Sequence, residues 1–355
     1  MFELTLSALL LWNAAILIVL LLFFAGLVLN KQKVLRRAIR EGLQKERLRP
    51  LVSRYIQTGI LPESRHLNMT RAFLKGLDQL LEEYARVMKQ AEIKERINTL
   101  ANIYLKGYLR DMLKHRQWAI RMNTLYKIED YRLDQLETEV WSLYVRKPKD
   151  QEELYQAMRA LAAVQSTRLE TELFTDSGRY ALYPRFLLKD LFRRFDDAVF
   201  YKAVNQYSTL HSELQLALLD LIGERKDLQC IQLLEEQLQH EDLEHRLSAL
   251  KALHAIGYTT DPECILSFGD SAVWQERMMF AHMSGKLLKE RYKPVLMKLI
   301  GDKEWFVRNA AGESIACYPD GQMLLYYIIE QHTDPFAKDT AQQWILREGR
   351  GTYAL

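Results

Sequence analysis

Cysteine is scarce in this chain: Cys230, Cys264 and Cys317 are odd in number, and none belongs to a C-x-x-C pair. Their spacings suit neither a zinc site nor a disulfide framework, so small buried thiols in a reducing compartment are expected. Only 8 prolines and 15 glycines occur in 355 residues, which argues against long disorder and against turn-rich sandwiches or barrels. The 8 histidines are scattered, and none stands in H-E-x-x-H. His245 and Glu241 share a helix step of four but amount to two possible ligands, and are read as a solvated face. The phosphate patterns G-x-x-x-x-G-K and G-x-G-x-x-G are missing, as are the nucleophile elbow G-x-S-x-G and a D-x-D sugar-nucleotide motif. Carboxylate pairs such as Glu82-Glu83 and Glu235-Glu236 fall at exposed helical positions with nothing evident to raise their pKa values. These absences leave an expectation of no catalysis, no cofactor and no metal.

What is present begins with a long apolar run. From Leu4 to Leu29 only Thr5, Ser7 and Asn13 break it. Twenty-six residues at ~1.5 Å each reach about 39 Å, enough to cross a bilayer with some tilt. A cleavable signal peptide wants a basic start and a shorter apolar stretch; here Glu3 precedes the run and the cations follow it. Residues 31–49 hold eight basic side chains against Glu41 and Glu46, while residues 50–355 hold 41 basic and 43 acidic. The basic flank predicts an outside N-terminus and a cytoplasmic remainder. It also predicts that Lys31, Lys33, Arg36, Arg37 and Arg40 lie on anionic headgroups. The near-neutral remainder does not fit a nucleic-acid binder. Its best basic patch, Arg185, Lys189, Arg193 and Arg194, is one helix face and is read as solvated surface.

The second half of the chain is periodic. Pro184, Gln215, Arg246, Arg277, Arg308 and Lys338 follow one another at steps of 31, 31, 31, 31 and 30. Three places after each stands an apolar residue (Leu187, Leu218, Ala249, Phe280, Ala311, Ala341). Seven places after stand Leu191, Ile222, Leu253, Ser284, Ile315 and Ile345. Steps of three and four mark the inner face of a helix, and its recurrence marks a stack of helix pairs. Outer helices are expected over 228–239, 261–268, 292–300 and 322–331, with Asp242, Asp270, Asp302 and Asp334 in the turn before each inner helix, able to cap it. The run Gly223-Glu-Arg-Lys226 and Gly257 are read as helix C-caps. Upstream, a helix leaving the membrane is expected to be interrupted at Pro50. Helices bearing Phe73, Leu77, Leu80 and Leu81, and then Ile97, Leu100, Ile103 and Leu105, follow a loop at 59–68. Trp118-x-x-Arg121 reopens the pattern seen in Trp274-x-x-Arg277 and Trp305-x-x-Arg308. The organisation read from this is a transmembrane anchor over 1–30, a basic juxtamembrane helix and loop over 31–68, irregular repeats over 69–183 and regular repeats over 184–355.

The run Asp302-Lys-Glu-Trp305-Phe-Val307-Arg308-Asn-Ala310-Ala311 resembles the inner helix of a HEAT repeat. The period near 31 is similar to the short bacterial subtype also found in phycobilin-lyase-like repeats. The resemblance covers about 120–348; the unit at 274–288 departs from it in lacking small residues after its Arg. It implies an all-α fold: a right-handed α-solenoid of HEAT-like helix pairs, here preceded by one transmembrane helix. It further implies a ladder in which Arg246, Arg277, Arg308 and Lys338 pair with Asp242, Asp270, Asp302 and Asp334; the tryptophans three places before the arginines are read as packing wedges rather than ligand platforms. The layout of span, basic neck and array is similar to membrane-anchored bacterial HEAT proteins that accompany envelope polysaccharide glycosyltransferases. A non-enzymatic scaffold that binds a protein partner, itself a membrane protein, is the expected function. The alternatives are a lyase-like enzyme or chromophore-handling protein of the same repeat class, and a self-associating membrane organiser.

Overall fold

The structure, a computed structural model, describes residues 6–61, 69–88, 90–148 and 150–351. Glu3 and the first residues of the expected span, and the loop expected over 62–68, lie outside the described residues. All regular structure among the described residues is helical, and the chain forms two compact units that divide between Ser166 and Thr167.

In the first unit, α1 (Leu6–Thr58) is one unbroken helix. Its most apolar 18-residue window has a mean hydropathy of 2.6 and is not buried anywhere, so α1 is long and apolar enough to cross a membrane. The interruption expected at Pro50 does not occur. Proline forfeits one helical hydrogen bond and strains the preceding turn, but Leu48, Val52, Tyr55 and Ile56 on either side of it are all buried. They lie against α2 (Arg71–Val87) and α3 (Ala91–Leu100), and that packing outweighs the local cost. Arg96 closes the end of α1 by donating to the carbonyls of Ile56 (2.6 Å) and Gln57 (3.1 Å). Gly76 sets how closely α2 approaches: a Cβ there would meet the Lys45 nitrogen at 3.0 Å.

A π-helical turn, Ala101–Leu105, joins α3 to α4 (Lys106–Leu113). Its extra residue turns Ile103, expected on the buried face, out to solvent, while Tyr104 and Leu105 face the core. α5 (Trp118–Tyr131), α6 (Glu137–Val145) and α7 (Gln151–Ala163) complete this unit around Leu125, Ile128, Val140 and Leu161.

The second unit opens with α8 (Thr167–Thr175) and a 3-10 segment, Ser177–Leu182, and continues through five further pairs. These are α9 (Arg185–Arg194) with α10 (Asp197–Asn205), α11 (Ser212–Arg225) with α12 (Ile231–Gln237), α13 (Leu243–Ile256) with the 3-10 run Pro262–Asp270, α14 (Trp274–Leu287) with α15 (Lys293–Leu299), and α16 (Trp305–Ala316) with α17 (Gly321–Gln331). α18 (Pro335–Gly351) ends the described chain. The six inner helices α9, α11, α13, α14, α16 and α18 pack in series, each on its predecessor. The first apolar column is buried at all six positions, and the second at the five from Leu191 to Ile315. Ser284, the one polar member, donates its hydroxyl to the Phe280 carbonyl at 2.8 Å and so enters the core satisfied.

Three local expectations change. The outer segment at 261–268 is a 3-10 run rather than an α-helix; its three-residue turn puts Ile265 and Phe268 on the same buried side. Gly257 caps α13 in the left-handed region (φ 77°), and in the 223–226 run the cap falls on its last residue, Lys226 (φ 52°), leaving Gly223 inside α11. Gly223 instead answers a close approach, since a Cβ there would lie 2.9 Å from Cα of Ala252 on α13. Of the cysteines only Cys230 is buried; Cys264 is half-buried and Cys317 exposed, because Cys317 follows the last turn of α16, past its core face.

Candidate functional site

The turns before α5, α13, α14 and α16 are each built around an arginine. Arg121 Nη1 donates to the carbonyls of His115 and Arg116, both at 3.0 Å. Arg246 repeats this with His240 and Glu241 (2.8 and 2.7 Å), Arg277 with Ser271 and Ala272 (2.8 and 3.1 Å), and Arg308 with Asp302 and Lys303 (2.8 and 3.1 Å). The guanidinium thus straps the connecting turn to its own helix and leaves one edge for the next repeat.

That free edge finds a carboxylate in three cases. Arg121 Nε meets Glu153 at 2.5 Å and its Nη2 the other oxygen at 2.7 Å. Arg277 does the same with Asp302 (2.6 and 2.9 Å), as the resemblance implied. Arg246 turns to Glu276 at 2.6 Å rather than to an aspartate. Asp270 binds Lys298 at 2.6 Å, and the Ser271 hydroxyl takes over its capping place by accepting from the Val273 N–H at 3.0 Å. Position explains the last rung: thirty residues after Arg246 stands Glu276, but thirty after Arg308 stands Lys338, of the wrong sign. Neither Arg308 nor Lys338 makes an ion pair among the described residues; the Arg308 guanidinium lies over the Phe336 ring at 5.1 Å, with its Nε buried and unbonded. Asp242 and Asp334 serve as caps, accepting from Glu244 N–H (3.2 Å) and Phe336 N–H (3.0 Å). Burial alone would raise the Asp302 carboxyl, but the Arg277 guanidinium and the Glu304 N–H hold it below its ordinary range.

His245 is not a solvated residue. It is buried, with Nδ1 at 2.9 Å from Asp242 and Nε2 at 3.1 Å from the Gln215 side chain, and burial depresses its pKa despite the carboxylate. Glu235 is also held more tightly than an exposed pair member. It accepts from both hydroxyls and one N–H of Thr259-Thr260 (2.5–2.7 Å) and from Asp261 N–H at 3.3 Å. The basic face of α9 is neutralised: Arg185 meets Asp220 at 2.6 Å, Lys189 and Arg193 share Glu224, and Arg194 pairs with Asp190. Among the described residues no group of His, Cys, Asp and Glu is arranged to hold a metal.

Two surfaces are left. At the start of α16 and α18, aromatic rings stand in solvent: Trp305 is 53% exposed, Phe306 55% and Phe336 62%, while Trp274 at the start of α14 is half-buried. Trp274 stacks on Phe306 (5.5 Å between centroids) and Trp305 packs edge-on to Phe306 (5.2 Å). Trp305, expected as a packing wedge, is therefore largely outside the core. The second surface is the basic neck. Lys31, Lys33, Arg36, Arg37 and Arg40 are all exposed on α1, and Arg37 and Arg40 line a cavity of about 710 Å³ together with Arg71, Lys75 and Lys127. The last three, from α2 and α5, were not legible as site residues, because only the fold brings them to α1.

No family model matches the chain, and no curated protein matches it. Among solved structures it is similar to an engineered protein known from a crystal structure, at 16% identity over 78% of this chain and 97% of that one, with a TM-score of 0.23. So slight a likeness carries no argument about fold or function.

Proposed function

We propose that the chain is a non-enzymatic membrane-tethered docking protein of HEAT-like repeats, with α1 in the bilayer and the remainder on the cytoplasmic side. The orientation rests on the basic cluster after Asn30. The observation that carries the docking reading is the aromatic edge of Trp274, Trp305, Phe306 and Phe336, with Arg308 against it. Aromatic rings and arginine are the side chains that most often anchor protein interfaces, and exposed rings at the starts of two successive inner helices (Trp305, Phe306 and Phe336) are unusual on a surface with no partner. The tether raises the effective concentration of the array toward anything held in the same membrane, so the partner class is a membrane protein. The repeat resemblance favours an envelope polysaccharide glycosyltransferase. Neutralisation of the α9 patch and the net acidic balance of residues 50–355 weigh against nucleic acid.

The test is co-purification of the full chain in mild detergent against a Trp305→Ala/Phe306→Ala/Phe336→Ala variant. All three side chains are exposed, so helical content and melting temperature should stay close to wild type. A membrane protein recovered in stoichiometric amount with wild type should be lost from the variant. Its retention by the folded variant would end the reading, as would turnover of a bilin or sugar nucleotide by the purified chain.

A further inference from the structure

The cavity beside the neck is a wedge. α1 and α2 touch closely at Glu41 and Lys45, where Gly76 admits the contact; toward the apolar span, residues 31–40 of α1 are all exposed. The opening lies between α1, α2, α4 and α5. Its volume lies within the ~300–1,000 Å³ usual for small-molecule sites.

Charge in the wedge is unbalanced. Five cations face two carboxylates, and both carboxylates are already engaged: Lys75 with Glu41 at 2.9 Å, and Lys127 with the buried Asp78, which also accepts from the Tyr131 hydroxyl at 3.3 Å. Arg37, Arg40 and Arg71 have no ion pair or hydrogen bond among the described residues. Three unpaired guanidiniums around one concave space, with apolar Val34, Ala38, Met112 and Ile120 between them, suit a ligand with a phosphate at one end and hydrocarbon at the other. Tyr108 adds a hydroxyl whose proton is retained: burial and the nearby Asp78 raise its pKa.

Position narrows the source. Arg37 lies eight residues beyond Leu29, or about 12 Å along α1, and the polar layer of one leaflet covers about 5–8 Å. Long basic side chains reach back toward the membrane surface, which spans much of the difference. Val34, Leu35, Ile39 and Leu43 are exposed on the same stretch and favour its sinking toward the headgroups.

We infer that the wedge between α1, α2, α4 and α5 binds the phosphate of an anionic lipid headgroup. The inference rests on the membrane placement of α1 proposed above and is independent of the protein partner. Its distinguishing feature is Arg71, which belongs to no basic cluster in the sequence and reaches the site only through the fold.

Full chain in neutral-lipid nanodiscs is titrated with dioctanoyl phosphatidic acid, with dioctanoyl phosphatidylcholine, and with inorganic phosphate. The acidic lipid should bind at least tenfold more tightly than either other probe. Arg71→Gln and Arg40→Gln should each weaken it by tenfold or more, and Arg71→Lys by less. Arg47→Gln/Arg54→Gln, which removes exposed α1 charge outside the wedge and outside the residues placed on the headgroups, should change it by less than twofold. Equal losses from Arg47→Gln/Arg54→Gln and Arg71→Gln would reduce the site to diffuse attraction and overturn the proposal, as would unchanged binding by a normally melting Arg71→Gln. Inorganic phosphate binding as tightly as the lipid would overturn the lipid source. Flotation of the full chain with neutral vesicles tests the membrane reading separately: a chain that floats but ignores the acidic lipid refutes only the wedge, whereas one that does not float refutes the anchor.

Discussion

Replacing Arg277 with methionine should be the most damaging single change in the ladder. Its guanidinium and the Asp302 carboxylate are 10% and 9% exposed, joined by two hydrogen bonds, while Nη1 holds the carbonyls of Ser271 and Ala272. Taking out one partner of a buried pair leaves the other charge unpaired, typically at a cost of ~3–5 kcal/mol. Asp302 would still accept from the Glu304 N–H (2.9 Å), which places Arg277→Met near ~3 kcal/mol. For a unit of this size that is a fall in melting temperature of roughly 6–12 °C. Arg277→Met/Asp302→Asn, which removes both charges and keeps an acceptor at the cap, should recover more than half of the loss. pH supplies an independent sign. In wild type the Asp302 carboxyl is held low, so its stabilisation is present above the unfolded value near 4 and fades as pH falls through the lower folded value. Without Arg277 the same buried carboxyl is pushed upward, so the deficit should shrink as pH drops from 7 toward 4. Thermal unfolding of the full chain in detergent, followed by circular dichroism, reads both effects. A single variant within ~1 kcal/mol of wild type, or a deficit that grows on acidification, would refute the reasoning.

The other predictions concern separate features. Pro50→Ala restores a helical N–H at an exposed position of α1 and should raise stability by ~1–3 kcal/mol, read as a higher melting temperature. Gly223→Ala places a methyl group against the backbone of Ala252 and should cost ~1–3 kcal/mol by the same melt. Glu235→Gln should cost ~1–2 kcal/mol at pH 7, discounted for partial exposure. Burial would raise this carboxyl, but the donors of Thr259, Thr260 and Asp261 hold it low, so wild type and variant should converge below about pH 4. Cys317 should react with a maleimide in the folded chain at once and Cys264 slowly; Cys230, whose thiol is pushed up to about 12 by burial and Asp227, should react only on unfolding.

The inner helices were legible because their burial is periodic. A column stepping by 31 and then by 3 and 4 states which side chains face inward, from Leu187 through Ala341. The apolar run of α1 was legible for the same reason, as a length of hydrophobic sequence. What escaped were choices between near-equivalent local options. Pro50 signals a break, yet Leu48 and Val52 make continuation cheaper. Asp270 and Glu276 are both plausible partners for Arg246, and only the geometry of the turn selects Glu276. The π turn at 101–105 leaves no mark in the apolar spacing that an extra half-step would not also leave. The wedge was least legible of all, since Arg37, Arg71 and Lys127 are far apart in the chain and meet only when α1 and α5 both pack on α2.

The continuity of α1 has a mechanical consequence. At ~1.5 Å per residue, its 53 residues form a rod of about 80 Å that runs without a joint from the apolar stretch to the core of the first unit. A swivel would let the anchor turn freely beneath its load; a rod does not. Any partner that grips the apolar end and rotates or tilts it must also turn the surface carrying Leu48, Val52 and Ile56, so torque applied at one end is delivered to the helices packed at the other.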